Sequence, residues 1–281
     1  MTKGPCPTLE CPCDGAYREE TFTYEAPPQG ETGFVLDGAY RRAYDHCRLC
    51  GHWFSRHDID LSDLYTGAYA GQTYGDRLAA TFERIMALPA DRSDNAGRAA
   101  RILDFATGHF PVQGCPPRLL DVGSGLAVFP ARMKAAGWDC TALDPDPRAA
   151  AHARMVAGVQ AVAGDFLTVD RSALGRYDAV TFNKVLEHVE APVAFLRAAR
   201  DLLLPHGFLY VELPDGEAAA EEGAGREEFF IEHHHVFSPT SFAALIERAG
   251  FRLVLLERLR EPSTKFTLRG FAVPEPRGNG E

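Results

Sequence analysis

The chain has 281 residues, 46% of them hydrophobic and 24% charged, with 26 glycines and 19 prolines. Such values exclude a disordered or low-complexity chain and allow one large domain, alone or with a small satellite. The formal charge of −10 argues against a nucleic-acid partner, no uncharged apolar run reaches the ~18 residues of a membrane span, and the start at Met1 has no apolar leader core, so the expectation is a cytoplasmic protein with no membrane partner.

Five of the seven cysteines lie in the first 50 residues: Cys6, Cys11, Cys13, Cys47 and Cys50. An odd count in a chain expected in the cytoplasm favours metal ligands or buried thiols over disulfides. Cys11-Pro12-Cys13 and Cys47-Arg48-Leu49-Cys50-Gly51 make two paired knuckles. Tetrahedral structural zinc takes four thiolates in two such pairs, so Cys11, Cys13, Cys47 and Cys50 are the expected ligands. Cys6 is an alternate, and His46 and His52 compete. A segment of ~60 residues buries little core and gains from a metal. Residues 1–62 therefore read as a zinc-binding, zinc-ribbon-like module.

A Tyr-rich linker, LYTGAYAGQTYGD (64–76), leads into two predicted helices, 76–88 and 95–106, and Pro116-Pro117 ends this 63–110 region. From there strands and helices alternate. RLLDVG (118–123) reads as a buried strand, 126–137 as a helix and DCTALD (139–144) as a strand. A helix opens at Pro147, and VQAVAGD (159–165) is a third strand. YDAVTF (177–182) is a fourth strand, 191–204 a helix and HGFLYVELP (206–214) a fifth strand. Ser238 caps a helix that stops at Gly250, and two closing strands form an antiparallel hairpin. Alternating strands and helices mean an α/β fold with a doubly wound, mostly parallel sheet. Residues 215–232 break the rhythm with seven acids against one arginine, so −6 of the chain's −10 sits in one stretch. It reads as a surface insertion, or as a lid, because it follows the carboxyl end of a strand.

In such sheets ligands bind beyond the carboxyl ends of the strands. The first α/β strand ends in Asp121-Val122-Gly123-Ser124-Gly125-Leu126-Ala127 and feeds a helix N-terminus. Gly123 and Gly125 permit a tight turn and close approach of a ligand. A nicotinamide fingerprint wants a small residue at position 128, where this chain has Val128. Asp144 ends the second strand, where a carboxylate accepts two ribose hydroxyls. Asp165-Phe166 ends the third, offering an acceptor for an exocyclic amine and a ring to stack on a purine. Asn183 ends the fourth, followed by Val185-Leu186-Glu187-His188-Val189.

This ordered set, LLDVGSGLAVFPARMKAAGW, ALDPDP, GDF, YDAVTFNKVLEHV and HGFLYVELPD, resembles the class I S-adenosylmethionine-dependent methyltransferases over about residues 75–274. The resemblance implies a Rossmann-like seven-stranded sheet across 111–281. It implies that Asp121, Gly123 and Gly125 cradle the methionine part of S-adenosylmethionine, that Asp144 holds the ribose, and that Asp165 and Phe166 hold the adenine, with Asn183 beside them. The cysteine pairs followed by a Tyr-rich stretch are similar to the zinc module of sugar C-methyltransferases and their relatives. Their C-terminal domain has no counterpart in this sequence.

Transfer from a sulfonium needs alignment and removal of the acceptor's proton. Candidates lie in Glu232-His233-His234-His235, which resembles the Glu-His element of the sugar C-methyltransferases. Glu232 and His233 match it, with His233 as base. In extended chain His233 and His235 would share a side and His234 would point away. His188 is a second base, and Tyr65, Tyr69 and Tyr74 are candidates to line the acceptor cavity, Tyr69 foremost. The expected reaction is methyl transfer to a small-molecule acceptor, with a sugar or sugar nucleotide as the finer expectation. A nicotinamide-dependent oxidoreductase and a non-catalytic zinc-ribbon adaptor are the alternatives.

Overall fold

The computed structural model describes residues 16–31, 33, 38–59, 78–110 and 115–276. Cys6, Cys11, Cys13, Tyr65, Tyr69 and Tyr74 lie outside the described residues.

Two sheets organise the chain. The first is antiparallel. Its strands are β1 (Arg18–Tyr24), β2 (Arg42–Cys47), β3 (Trp53–Arg56) and the two-residue β9 (His235–Val236), in the order β1-β2-β3-β9. Trp53 pairs with Val236 and Phe54 with His235. The acidic stretch thus leads into the edge strand of the N-terminal sheet.

Two helices, α1 (Leu78–Met86) and α2 (Asp94–His109), lead to the main sheet. Ser93 caps α2 by accepting a bond from the Ala96 amide at 3.2 Å. The main sheet then runs β4 (Arg118–Val122), α3 (Val128–Ala135), β5 (Asp139–Asp144), α4 (Pro147–His152), β6 (Gln160–Ala163), β7 (Tyr177–Asn183), α5 (Pro192–Arg200) and β8 (Leu203–Pro214). After β8 come α6 (Gly216–Glu222), β9, α7 (Pro239–Arg248), β10 (Phe251–Arg260) and β11 (Phe266–Pro274). The strand order is β10-β11-β8-β7-β4-β5-β6. The run from β8 to β6 is parallel, while β11 is antiparallel to both β8 and β10. The sheet is therefore seven-stranded, mixed and mostly parallel. Its central strands read as continuous apolar runs because both faces are covered. One face buries Leu120, Val180, Phe182, Leu209 and Val211 against α5 and α7, and the other buries Leu119, Ala179, Phe208 and Tyr210 against α2 and α3.

The predicted helix 191–204 ends early, at Arg200, and β8 begins at Leu203. The Leu202 carbonyl accepts the Tyr177 amide at 2.8 Å and Leu203 pairs with Tyr177, so strand pairing takes these residues out of the helix. The capped helix at Ser238 forms as expected. Ser238 and Ser241 make a reciprocal capping box, with Pro239 in the first turn.

The acidic stretch folds against the N-terminal sheet. Asp215 caps α6 through the Ala218 amide and takes a bidentate bond from Arg258, at 2.7 and 3.0 Å. Ala219, Phe229 and Ile231 are fully buried with Tyr44, Trp53 and Val236. Arg226 pairs with Glu222 and Glu228, Arg260 with Glu222, and Lys265 with Glu227. The −6 read from sequence is thus offset in part by Arg258 and Arg260 of β10 and by Lys265 of the hairpin loop.

Candidate active site

A cavity of about 850 Å³ opens at the carboxyl ends of β4, β5 and β7, where the strand order reverses. Asp121, Gly123, Gly125, Asp144, Asp165, Phe166 and Asn183 line it, and so do His188, Glu232 and His233. The fold therefore brings together the described members of both predicted groups.

The loop after β4 is built for close approach. Gly123 has φ +72°, and a Cβ there would sit 2.6 Å from Cγ2 of Val185. Gly125 and Ala127 are also left-handed, at φ +49° and +54°. Ala127 precedes α3 without a side-chain cap, so the first amides of that helix face the loop unoccupied by any capping side chain. Val128, which argued against a nicotinamide fingerprint, is buried with Phe82 and Ala131.

Asp121 is 3% exposed. Its Oδ1 accepts bonds from Thr181 Oγ1 and Asn183 Nδ2, both at 2.7 Å. Burial pushes its carboxyl up to about 6, with those hydrogen bonds and Arg98 opposing. The other amide atom of Asn183, Oδ1, is buried with no partner. Asp144 Oδ2 accepts the Gly125 amide at 2.8 Å and Oδ1 the Asp146 amide at 2.9 Å. One backbone bond per oxygen fixes the carboxylate and leaves lone pairs on both for a ligand. Burial raises its pKa. Asp165 is exposed and caps the turn that follows it, through the Leu167 and Thr168 amides. Phe166 reaches the cavity wall but is 2% exposed, with its ring packed at 5.6 Å from Phe182 and 5.8 Å from Phe195.

The histidine run does not alternate as extended chain. Its backbone turns over residues 231–234 before entering β9. His233 consequently faces the cavity while His235 is buried under the N-terminal sheet, bonded to His52 Nε2 at 3.0 Å. The reading that these two share a side is corrected: a turn, not a strand, joins them. His188 Nδ1 bonds the Glu232 carbonyl at 3.0 Å and His233 Nδ1 bonds the Glu228 carbonyl at 2.8 Å. A carbonyl only accepts, so each ring carries its proton on Nδ1. The two rings meet edge-on at 4.8 Å. Burial lowers the pKa of both, most strongly for His233.

Several residues escaped sequence reading. Glu187, 1% exposed, stands beside His188, and burial pushes its carboxyl up to about 7 against the pull of Lys184. Lys184 has φ +60°, an uncommon backbone for a side-chain-bearing residue, and its Nζ donates to Thr267 Oγ1 at 2.6 Å. Arg98, from α2, pairs with Glu212 of β8 and lines the cavity. Glu187 stood inside the quoted VLEHV run, so its position was readable. The partners of Lys184 and Arg98 are set by strand pairing and helix packing, which leave no local mark.

Cys47 and Cys50 are buried in a tight knuckle. Gly51 at φ +69° returns its amide to the Cys47 carbonyl at 2.7 Å, and the Cys47 amide donates to the His52 carbonyl at 2.9 Å. His52 is engaged by Ser241 and His235, and His46 stacks on Trp53, so neither ring is directed to the thiols by these contacts.

The sheet order and the cavity define a Rossmann-like α/β protein with its site at the strand switch point. A family model described as a methyltransferase domain matches residues 77–256, more than half of the chain. The ubiquinone biosynthesis O-methyltransferase of Xanthomonas campestris pv. campestris (strain B100) is 32% identical over 165 residues, covering 54% of this chain and 68% of the relative. Among solved structures, the 1,6-didemethyltoxoflavin-N1-methyltransferase of Burkholderia thailandensis, with bound 1,6-didemethyltoxoflavin and S-adenosylhomocysteine, superposes with a TM-score of 0.54 at 22% identity, covering 80% of this chain and 96% of that one. The magnesium protoporphyrin IX methyltransferase of Synechocystis PCC 6803 gives the same TM-score at 13% identity, covering 74% and 100%. The chain belongs to the class I S-adenosylmethionine-dependent methyltransferases. No helix among the described residues is long and apolar enough to cross a membrane.

Proposed function

We propose that the protein moves a methyl group from S-adenosylmethionine to a hydroxylated small molecule, a sugar or sugar derivative, seated against His188, Glu232 and His233. One observation carries this: a single cavity joins the Asp121–Gly123–Gly125–Asp144 cradle to the Glu-His cluster. The buried, partnerless Oδ1 of Asn183 at that junction supports a polar ligand there. The relatives named above act on small molecules by their own names. Glu187, Glu228 and Glu232 in the wall favour hydroxyls over a phosphate-rich acceptor.

When bound, the cofactor supplies an electrophilic methyl on a sulfonium sulfur. Asp121 and the glycine loop hold its methionine part, Asp144 its ribose, and Asp165 and Phe166 its adenine. His233 is neutral, with Nε2 as its basic nitrogen, and takes the proton that the acceptor loses. Glu232, through its carbonyl, orients His188 beside it. Tyr69 is proposed to complete the acceptor pocket. Calorimetric titration of the full chain with S-adenosylhomocysteine tests the reading, with NAD as control. A dissociation constant in the micromolar range or below is expected for the first. No heat with folded protein would overturn it.

The division into a module (1–62), a linker with helices (63–110) and a methyltransferase domain (111–281) is part of the same proposal, as is structural zinc on Cys11, Cys13, Cys47 and Cys50. The buried Cys47–Cys50 knuckle fits half of such a site. Metal analysis is expected to find zinc in the purified chain, with Cys47→Ser losing about one equivalent and melting at lower temperature. Equal zinc in both proteins would remove the site.

A further inference from the structure

We propose that Glu187, His188 and His233 form a divalent-cation site in the acceptor half of the cavity. One donor atom of each lies within 4.8 Å of the other two, and no other such group occurs among the described residues. Bonds of about 2.1 Å at tetrahedral angles put ligand atoms roughly 3.4 Å apart, so small side-chain rotations close the site. Two imidazoles and one carboxylate are a ligand set that binds manganese, iron, cobalt or zinc and leaves positions open.

Three features distinguish this cluster from a chance meeting of polar groups. First, both rings are held by a backbone carbonyl at Nδ1, Glu232 for His188 and Glu228 for His233. That arrangement fixes the tautomer with its lone pair on Nε2, as in metal-bound histidine. Second, Glu187 is 1% exposed, and its Oε2 is buried with no hydrogen-bond partner. An unsatisfied carboxylate oxygen is costly unless something positive meets it. Third, the two segments that supply the ligands are tied together. The His234 amide donates to the Glu187 carbonyl at 2.7 Å. The ligand set is therefore assembled before any ion arrives.

All three residues line the same cavity as Asp121 and Asp144. Ion binding does not depend on the methyl-transfer reading, but the ion's role does. With an ion in place, His188 and His233 serve as ligands and not as bases. The ion's open positions take the acceptor's oxygen, whose proton then leaves to solvent more readily. The acceptor class is accordingly a compound with a hydroxyl, or two adjacent ones, able to chelate.

Manganese(II) is the probe, because thiolates of the N-terminal cysteines compete poorly for it. Electron paramagnetic resonance of the full chain titrated with Mn²⁺ should show one bound ion. Glu187→Gln and His233→Gln should each weaken binding by at least roughly 100-fold, while Cys115→Ser, at an exposed thiol outside the cavity, leaves it unchanged. S-adenosylhomocysteine affinity, measured on the same variants, reports folding and the cofactor half separately. Retained S-adenosylhomocysteine binding with no Mn²⁺ binding, or with variants that bind Mn²⁺ like the parent, overturns the cation site and leaves the imidazole base. Mn²⁺ binding by the parent that is lost in both variants at an unchanged melting temperature, without S-adenosylhomocysteine binding in any protein, supports the cation site and removes the methyl-transfer reading.

Discussion

Arg98→Leu is expected to lower the stability of the chain by about 3–5 kcal/mol, the cost of breaking a buried ion pair from one side. Arg98 is 8% exposed and Glu212 1%. The guanidinium donates from Nε to Glu212 Oε2 at 2.8 Å and also through Nη2, while Nη1 holds Asn95 Oδ1 at 2.9 Å. Tyr210 donates to the other oxygen of the same carboxylate. Burial alone would push Glu212 upward, but the charge and hydrogen bonds of Arg98 outweigh it and hold the carboxyl below its usual range. Removing Arg98 leaves that buried charge with the Tyr210 hydrogen bond and the charge of Lys184 alone. It also frees α2 from β8 at the cavity wall. Denaturant unfolding measures the loss. The double change Arg98→Leu with Glu212→Leu should recover most of it, because no charge is then stranded. A loss below about 1 kcal/mol for the single change would mean the pair behaves as a surface bridge.

Asp121→Asn is expected to separate stability from binding. The Thr181 and Asn183 hydrogen bonds both fall on Oδ1, which an amide oxygen reproduces. The fold should therefore survive. The buried carboxyl has its pKa raised from 3.8 to about 6. A raised value means the folded state holds its proton more tightly than the unfolded one. Stability from this group is full below about 4 and is lost as pH climbs to about 6. At pH 7 the wild type carries a cost of up to about 3 kcal/mol, at 1.36 kcal/mol per unit. Asn does not titrate, so the variant should melt higher than wild type at pH 7, with the gap closing toward pH 4. Binding of S-adenosylhomocysteine should fall by roughly 10–100-fold, since a hydrogen bond to a charged group contributes about 1.5–3 kcal/mol. A variant that melts lower at pH 7, or binds as tightly, contradicts this account of Asp121. Calorimetry and melting curves on one preparation give both results.

The main sheet was legible because its central strands are short apolar runs closed by glycine or acid. RLLDVG and DCTALD are the runs expected of strands covered on both faces, as in a parallel α/β sheet. The cofactor cradle was legible for the same reason, since each of Asp121, Asp144, Asp165 and Asn183 ends or follows a strand. The hairpin β10–β11 was readable as a pair, but not its insertion with β11 beside β8. Strand order depends on contacts distant in sequence. The histidine run failed at its geometry. Phe230, Ile231 and Tyr44 are apolar or aromatic anchors, and burying Ile231 while Tyr44 donates to the Phe230 and His233 carbonyls forces a turn where alternation was assumed. The acidic stretch hid its role because its counter-charges, Arg258 and Arg260 on β10 and Lys265 in the hairpin loop, come later in the chain. Glu187 hid in plain view. Its neighbour His188 drew the chemical argument, and only the fold shows that Oε2 has no partner.

In the proposed function one cavity holds the cofactor along β4, β5 and β7 and presents its methyl to Glu187, His188 and His233. A crystal structure of the full chain with S-adenosylhomocysteine tests this most directly. The ribose is expected on Asp144, the amino group near Asp121, and the sulfur facing the Glu187–His188–His233 cluster. Density for the ligand outside this cavity, or a sulfur turned away from that cluster, would contradict it.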